Sequence, residues 1–346
     1  MRIAVCSPQV PFARGGAEFL AERLTDELRA LGHDADLVTV PFKWYPGTRV
    51  LSQALLWRLL DLEEVDGRRV DLVVGTKFPS YVVRHPNKVV WLVHQFRQAY
   101  ELDRTDLGQF GETAQDRATR RAIHRLDRQA LGEARKLFAI SSNVAGRLRR
   151  TTELDAEVLL PPPQELPYRC ETYGDFVLSV NRLDRAKRID LLLEAAAARE
   201  ALRCVIVGDG PDRERLEGIA RAHGLDGRVR FAGRVDEAEL ASLYGRCLAV
   251  FYAPYDEDFG IVPYEAFMAE KPVITTHDAG GPLDVVADRR TGLVCEPRAE
   301  AVAEACAYLL AHPDEARAWG SAGREVAQRL SWRDAAERIV DAGSGA

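Results

Sequence analysis

Lysine is scarce in this 346-residue sequence, with six lysines against 41 arginines. Together with the abundant alanine, this bias points to a GC-rich bacterial genome. It is codon bias and carries no mechanism. Positive charge is not in excess either. The 47 Lys and Arg against 53 Asp and Glu leave a net charge of -6, which argues against a general nucleic-acid binder but not against a local basic patch. No two cysteines are spaced CxxC. Cys6, Cys170, Cys204, Cys247, Cys295 and Cys306 are scattered, several inside apolar runs, as expected of reduced thiols in a cytoplasmic protein. No Cys/His cluster has metal-ligand spacing. No apolar run of about 18 residues occurs, so neither a transmembrane helix nor stable membrane insertion is expected. The opening MRIAVCSPQV lacks the apolar stretch and small-residue cleavage site of a signal peptide. No GxGxxG is present, which weakens a dehydrogenase reading.

What is present describes a globular enzyme. Hydrophobic residues make up 47% and charged residues 29%, and a chain of this length defaults to two domains. Short apolar runs alternate with amphipathic segments in both halves. Strands are expected at 3–7, 35–40, 72–75, 89–93, 137–140 and 158–160, then at 176–180, 204–207, 229–231, 248–252, 273–276 and 293–295. Continuous apolar strands separated by helices predict parallel sheets covered on both faces, hence an α/β fold of two doubly wound, Rossmann-like domains. Ala17, Leu20, Leu24, Leu28 and Leu31 set the first helix, with Gly32 as its stop. The stiff run Pro161-Pro162-Pro163, with Pro167 behind it, marks the linker. The expected division is 1–165, 166–328 and a tail helix at 329–346 that packs back on the first domain. From Arg117 to Lys136 there are seven Lys/Arg and two Asp/Glu. Ala118, Ala122, Leu126, Ala130 and Ala134 share one helical face there. Such a face inserts little apolar area into a membrane, so a solvated helix packed on its own domain is expected.

In doubly wound folds, ligands meet the carboxyl ends of the strands. Gly15-Gly16 lies between the first strand and the first helix, where backbone amides can meet an anion; a tight turn is the plainer explanation. In LSVNRLDRAKRID, Arg182 and Lys187 sit in a loop after a strand, and two cations there suit a diphosphate. Arg185 and Arg188 compete for those roles. In FYAPYDEDFGIVPYEAF, seven residues separate Glu257 from Glu265. The helix beginning near Pro263 would direct the amides of Gly260, Ile261 and Val262 toward a phosphate. Glu265 could take a ribose diol and Glu257 a sugar ring.

The strings GGAE, NRLDRAKRID, VGDGP, FAGRV and EDFGIVPYEAF, in this order, resemble glycosyltransferase family 4, whose members are retaining enzymes of GT-B fold. The resemblance implies two Rossmann-like domains facing across a cleft, a donor site mostly in the second, and the first as the acceptor side. It implies Gly16 near the donor phosphate or sugar, Arg182 and Lys187 on the diphosphate, Glu257 on donor-sugar hydroxyls and Glu265 on the ribose. Arg234 and Val235 of FAGRV would lie beside the base, and His94 of VVWLVHQF would reach the transferred sugar. The co-substrate would be a nucleoside-diphosphate sugar, with UDP, GDP or dTDP undetermined. No other cofactor and no metal is implied.

The expected reaction transfers a hexose-like sugar to a hydroxyl of a small-molecule, glycan or lipid-linked acceptor. A nucleotide-sugar epimerase and a non-catalytic partner subunit are the alternatives. Trp44, Tyr45, Phe96, Tyr100 and Phe110, in loops 42–49 and 96–111, could stack on an acceptor. Asp258 departs from the family pattern, where glycine is common, and the triplet Asp256-Glu257-Asp258 raises the expectation of an amino-bearing substrate. The oligomeric state is not legible.

Overall fold

The computed structural model describes residues 1–12, 15–103, 105, 108–163 and 167–344. They form two units, Met1–Pro161 with Ser331–Ala346, and Pro162–Leu330. The expected border at 165/166 lies outside the described residues.

In the first unit the chain runs β1 (Arg2–Gln9), α1 (Gly16–Ala30), β2 (Asp34–Pro41), α2 (Val50–Leu59), β3 (Glu64–Val65), β4 (Arg68–Arg69), β5 (Leu72–Gly75), β6 (Lys88–Leu92), α3 (Ala114–Gly132), β7 (Lys136–Ala139), α4 (Ser142–Thr152) and β8 (Glu157–Val158). Its sheet is parallel, in the order β2-β1-β5-β6-β7-β8. The second unit runs β9 (Phe176–Val180), α5 (Ile189–Ala198), β10 (Arg203–Val207), α6 (Arg213–Ala222), β11 (Val229–Gly233), α7 (Glu237–Arg246), β12 (Ala249–Phe251), α8 (Val262–Met268), β13 (Val273–Thr276), β14 (Gly292–Cys295), α9 (Ala299–Ala311) and α10 (Pro313–Gln328). Its parallel order is β11-β10-β9-β12-β13-β14. Each expected strand is present; β5, β6, β12 and β13 in the sheet interiors are buried on both faces, whereas the edge strands β2, β8 and β11 are largely exposed or half-buried. Helix ends are set locally. Asp236 caps α7 by accepting from Glu239 N at 2.8 Å, and Gly32, at φ +86, stops α1.

The tail helix α11 (Trp332–Ser344) belongs to the first unit. Trp332 is buried edge-on to Phe19 and Trp91, with ring centroids 6.2 and 6.0 Å away. Among the described residues, no helix is long and apolar enough to cross a membrane.

Two local features differ from the sequence reading. The first is the antiparallel hairpin β3–β4, closed by Asp66-Gly67 with both residues at positive φ, the Asp-Gly turn of a two-residue hairpin. The second concerns α3, whose buried stripe is Thr119, Arg120, Ile123, Asp127, Ala130 and Leu131, sharing only Ala130 with the alanine-rich face. A carboxylate can occupy that stripe because Tyr81 OH (2.8 Å), Tyr100 OH (2.7 Å) and Gln95 Nε2 (3.4 Å) donate to Asp127. Burial still pushes the Asp127 carboxyl up to about 7, against the pull of these hydrogen bonds. The unfolded chain releases that proton near 3.8. Stability contributed by Asp127 is therefore greatest at low pH and is lost as pH rises from about 4 to about 7. Asp127→Asn is expected to flatten this dependence in thermal melts recorded across that range.

Candidate functional site

The loop after β9 is shaped by the glycines of VGDGP. Asn181 N donates to Val207 O at 3.0 Å, and Leu183 N to Asp209 O at 3.1 Å. A Cβ on Gly208 would lie 1.8 Å from Asn181 O, and one on Gly210 would lie 2.2 Å from Leu183 O. The glycines thus allow two backbones to touch. In the loop so held, Arg188 takes a left-handed conformation, φ 49. Its guanidinium makes two bonds of 2.8 Å to Asp278, one of 2.8 Å to Thr276 Oγ1, and bonds of 2.9 and 2.8 Å to the carbonyls of Ala253 and Pro254. Arg188 therefore ties the ends of three strands together and is committed to the scaffold. Arg182 is 74% exposed, with Asp184 4.0 Å away.

Lys187 is ion-paired to Glu257, and both side chains are less than a fifth exposed. The ammonium also lies 3.5 Å from Tyr252 OH. Burial disfavours the Lys187 charge, but Tyr252 and Glu257 outweigh it and hold the ammonium above its usual range. The Glu257 backbone is pinned in turn. Glu257 N donates to Ala279 O at 2.9 Å, and Gly281 N donates to Glu257 O at 2.8 Å. A Cβ on Gly281 would strike Asp258 O at 2.6 Å, which explains the second glycine of Gly280-Gly281. Gly260, at φ +77, lies against the Tyr252 ring, where a Cβ would come within 2.6 Å. Of the three consecutive acids, Asp258 is buried and Asp256 and Glu257 are half-buried.

Helix α8 begins at Val262 with Pro263 in its first turn. The Gly260, Ile261 and Val262 amides donate no hydrogen bond to the described residues. Glu265, in that turn, accepts from Tyr244 OH at 2.7 Å. Burial raises the Glu265 carboxyl, and the Tyr244 bond opposes it. Tyr244 is fully buried on α7, its ring 5.0 Å from Tyr168. It was missed in the sequence, although a tyrosine at a helix core position implies a buried hydroxyl needing a partner. Arg234 and Val235 join β11 to α7, the first exposed and the second half-buried. They follow Gly233, whose carbonyl accepts from Gly208 N at 2.7 Å. Tyr244→Phe is expected to cost about 1–2 kcal/mol of stability and to raise the KM for a nucleotide donor several-fold, with kcat nearly unchanged. Steady-state kinetics and a thermal melt check it.

In the first unit, Gly15 N donates to Glu18 Oε2 at 3.0 Å, and Glu18 is ion-paired to Lys77. A Cβ on Gly16 would meet nothing within 4 Å. The fold therefore does not require glycine at 16. Gly16→Ala is expected to leave the melting temperature unchanged or slightly raised, alanine being the better helix former by about 0.5–1 kcal/mol, while lowering donor turnover. Unchanged turnover would remove Gly16 from the site. Ala13 and Arg14, in the same loop, lie outside the described residues. His94 follows β6, half-buried, with Nδ1 2.7 Å from Gln95 O. A carbonyl only accepts, so Nδ1 carries the proton in this arrangement. Of the five loop aromatics, Phe96 and Phe110 are buried, 6.3 Å apart, and Tyr100 stacks on His124; Trp44 and Tyr45 remain exposed.

Comparison with known proteins shows what this arrangement is similar to. Residues 171–326 match the family described as glycosyl transferases group 1. Alpha-1,3/1,6-mannosyltransferase ALG2 of Dictyostelium discoideum is 30% identical over 186 residues, 47% of this chain and 44% of that protein. Alpha-D-kanosaminyltransferase of Streptomyces kanamyceticus is 28% identical over 234 residues, 60% of this chain and 59% of that protein. The chain thus spans about half the length of the curated relatives it matches. Among solved structures, sucrose-phosphate synthase from Thermosynechococcus elongatus has a TM-score of 0.77 at 22% identity, over 98% of this chain and 97% of that one. At that identity the likeness shows the fold, which is GT-B. The matched stretch, residues 171–326, holds Arg182, Lys187, Glu257 and Glu265 and is similar to the glycosyl transferases group 1 family.

Proposed function

We propose that the chain transfers a hexose-like sugar from a nucleoside-diphosphate sugar to an acceptor hydroxyl with retention at the anomeric carbon. The observation that carries this reading is the Lys187–Glu257 pair, held in loops after β9 and β12 with Arg182 exposed nearby in sequence. Without donor, the two side chains satisfy each other. A diphosphate competes for the ammonium, and sugar hydroxyls donate to the released carboxylate. Glu265, positioned by Tyr244, takes the ribose diol. Arg234 and Val235 lie beside the base. The family resemblance implies roles on the donor for Gly16 and His94 of the first unit, and Gly15 adds a backbone amide that can meet an anion.

In the reaction the bond from the anomeric carbon to the diphosphate oxygen breaks, and the acceptor oxygen bonds to that carbon on the same face. The acceptor proton passes to the leaving phosphate oxygen. Charge grows on the diphosphate, so Arg182, Lys187 and the amides of Gly260–Val262 stabilise the transition state more than the ground state. No pair of carboxylates about 5 Å apart is then needed, in contrast to retaining glycosidases, and no step requires a metal. The six free cysteines suit a reducing compartment such as the cytoplasm. The epimerase and partner-subunit alternatives are not favoured, since the matched relatives are named as transferases and each charged position is filled.

A thermal-shift panel of UDP, GDP, dTDP and ADP sugars tests the donor. One base is expected to raise the melting temperature. Product from that donor is expected to keep the donor's anomeric configuration by NMR. Inversion would overturn the mechanism, and a free epimer formed without acceptor would favour the epimerase.

A further inference from the structure

Helices α2 and α3 of the first unit carry an outer face that the transfer reading does not use. The crossovers β2 to β5 and β6 to β7 run in the same direction along the sheet. Right-handed crossovers therefore place α2 and α3 on one face, and α1, which runs back from β1 to β2, on the other. The helices lie side by side. Arg58 of α2 makes bonds of 2.6 and 2.5 Å to Glu133 at the end of α3, and the turn before α2 lies against Phe110, just before α3.

The outer side of α2 is apolar. Leu55, Leu56 and Leu59 are 52, 49 and 80% exposed. Trp44 and Tyr45 are exposed beside it, on a loop tied to α2 by two hydrogen bonds between Gln53 and the Lys43 backbone. Residues 37–60 contain no Asp or Glu, while Lys43 and Arg49 are exposed. The outer side of α3 carries Arg121, Arg125 and Arg128, all exposed and without an ion pair among the described residues. The acids of this basic stretch are spent elsewhere, Asp127 in the core and Glu133 on Arg58. The alanine face of α3 offers little apolar area of its own. The structure supplies that area from α2.

We propose that this face docks on the surface of an anionic phospholipid bilayer. The leucines of α2 with Trp44 and Tyr45 enter the interfacial layer, and the arginines of α3 with Lys43 and Arg49 lie over lipid phosphates. Both halves of the surface are needed for this occupant. A nucleic acid has no use for exposed leucines. The docking is peripheral, in keeping with the lack of a spanning helix among the described residues.

Co-sedimentation of the full chain with vesicles of phosphatidylcholine, alone or mixed with phosphatidylglycerol, tests this. Binding is expected only to the mixed vesicles and is weakened by salt. Leu55→Gln with Leu59→Gln, and separately Arg121→Gln with Arg125→Gln and Arg128→Gln, are each expected to lower the bound fraction about tenfold or more. These surface changes leave the melting temperature in place, which shows the variants folded. No co-sedimentation, equal binding to phosphatidylcholine alone, or insensitivity to the leucine pair overturns the proposal. A dimer in light scattering that the leucine pair dissolves assigns the face to a second copy and overturns it too. Nucleotide binding is unaffected in every case, so the transfer reading stands or falls separately.

Discussion

Lys187→Ala is expected to lower kcat/KM for sugar transfer by about 10²–10³, the cost of removing one donor aimed at a developing anion. The change acts twice. It deletes the least exposed cation of the proposed diphosphate site, and it takes the Lys187 charge away from Glu257, 19% exposed. With that positive charge gone, the carboxylate repels a neighbouring diphosphate more strongly, so the KM for donor rises as kcat falls. The double change Lys187→Ala with Glu257→Gln removes that repulsion. It is expected to recover part of the KM and none of kcat, because the lost cation is not replaced. Steady-state kinetics on the single and double variants separate the two effects. Equal rates for wild type and Lys187→Ala would contradict the assignment.

Gly208→Ala is expected to be the most damaging substitution for the fold. Its Cβ would sit 1.8 Å from Asn181 O and 2.9 Å from Asn181 C, at φ +121. The obstacle is backbone at the end of β9, not a side chain that can swing aside, and the backbone angle is itself strained for alanine. A cost beyond about 4 kcal/mol is expected, in the range reserved for named structural failures. Calorimetry should show the transition of the second unit lowered by 10 °C or more, about what such a cost implies for a domain of this size, while that of the first unit stays in place. Gly16→Ala is the internal contrast, since glycine there meets no neighbour within 4 Å. One glycine serves packing; the other meets no neighbour that would exclude alanine.

The same contrast explains what could be seen beforehand. The strands were legible because parallel sheets need continuous apolar runs, and β5, β6 and β13 are buried along their whole length. The placement of Glu257 before a proline-led helix and of Glu265 in its first turn was legible from their spacing. The VGDGP string was recognised as a motif, but its role in holding the Asn181–Leu183 loop needed coordinates, since a glycine's neighbours lie far off in sequence. Arg188 could not be told from Arg182 and Lys187 in a run of like charges. Only the carbonyls and the carboxylate around it show it to be spent on the scaffold. The buried stripe of α3 was not legible in the sequence, because Asp127 enters the core through two tyrosines that are distant in sequence. Of the loop aromatics, Phe96 and Phe110 were packing residues. Sequence spacing does not separate a ring held by its neighbours from one left exposed.

Isothermal titration of the intact chain with UDP, GDP, dTDP and ADP, repeated on Lys187→Ala and Glu265→Ala, tests the central claim most directly. One nucleoside diphosphate is expected to bind the wild type. Its affinity should fall about tenfold or more in each variant, a loss of at least about 1.4 kcal/mol, while circular dichroism shows both variants folded. Binding of none of the four, or unchanged affinity in both variants, would contradict a donor site built on Lys187, Glu257 and Glu265.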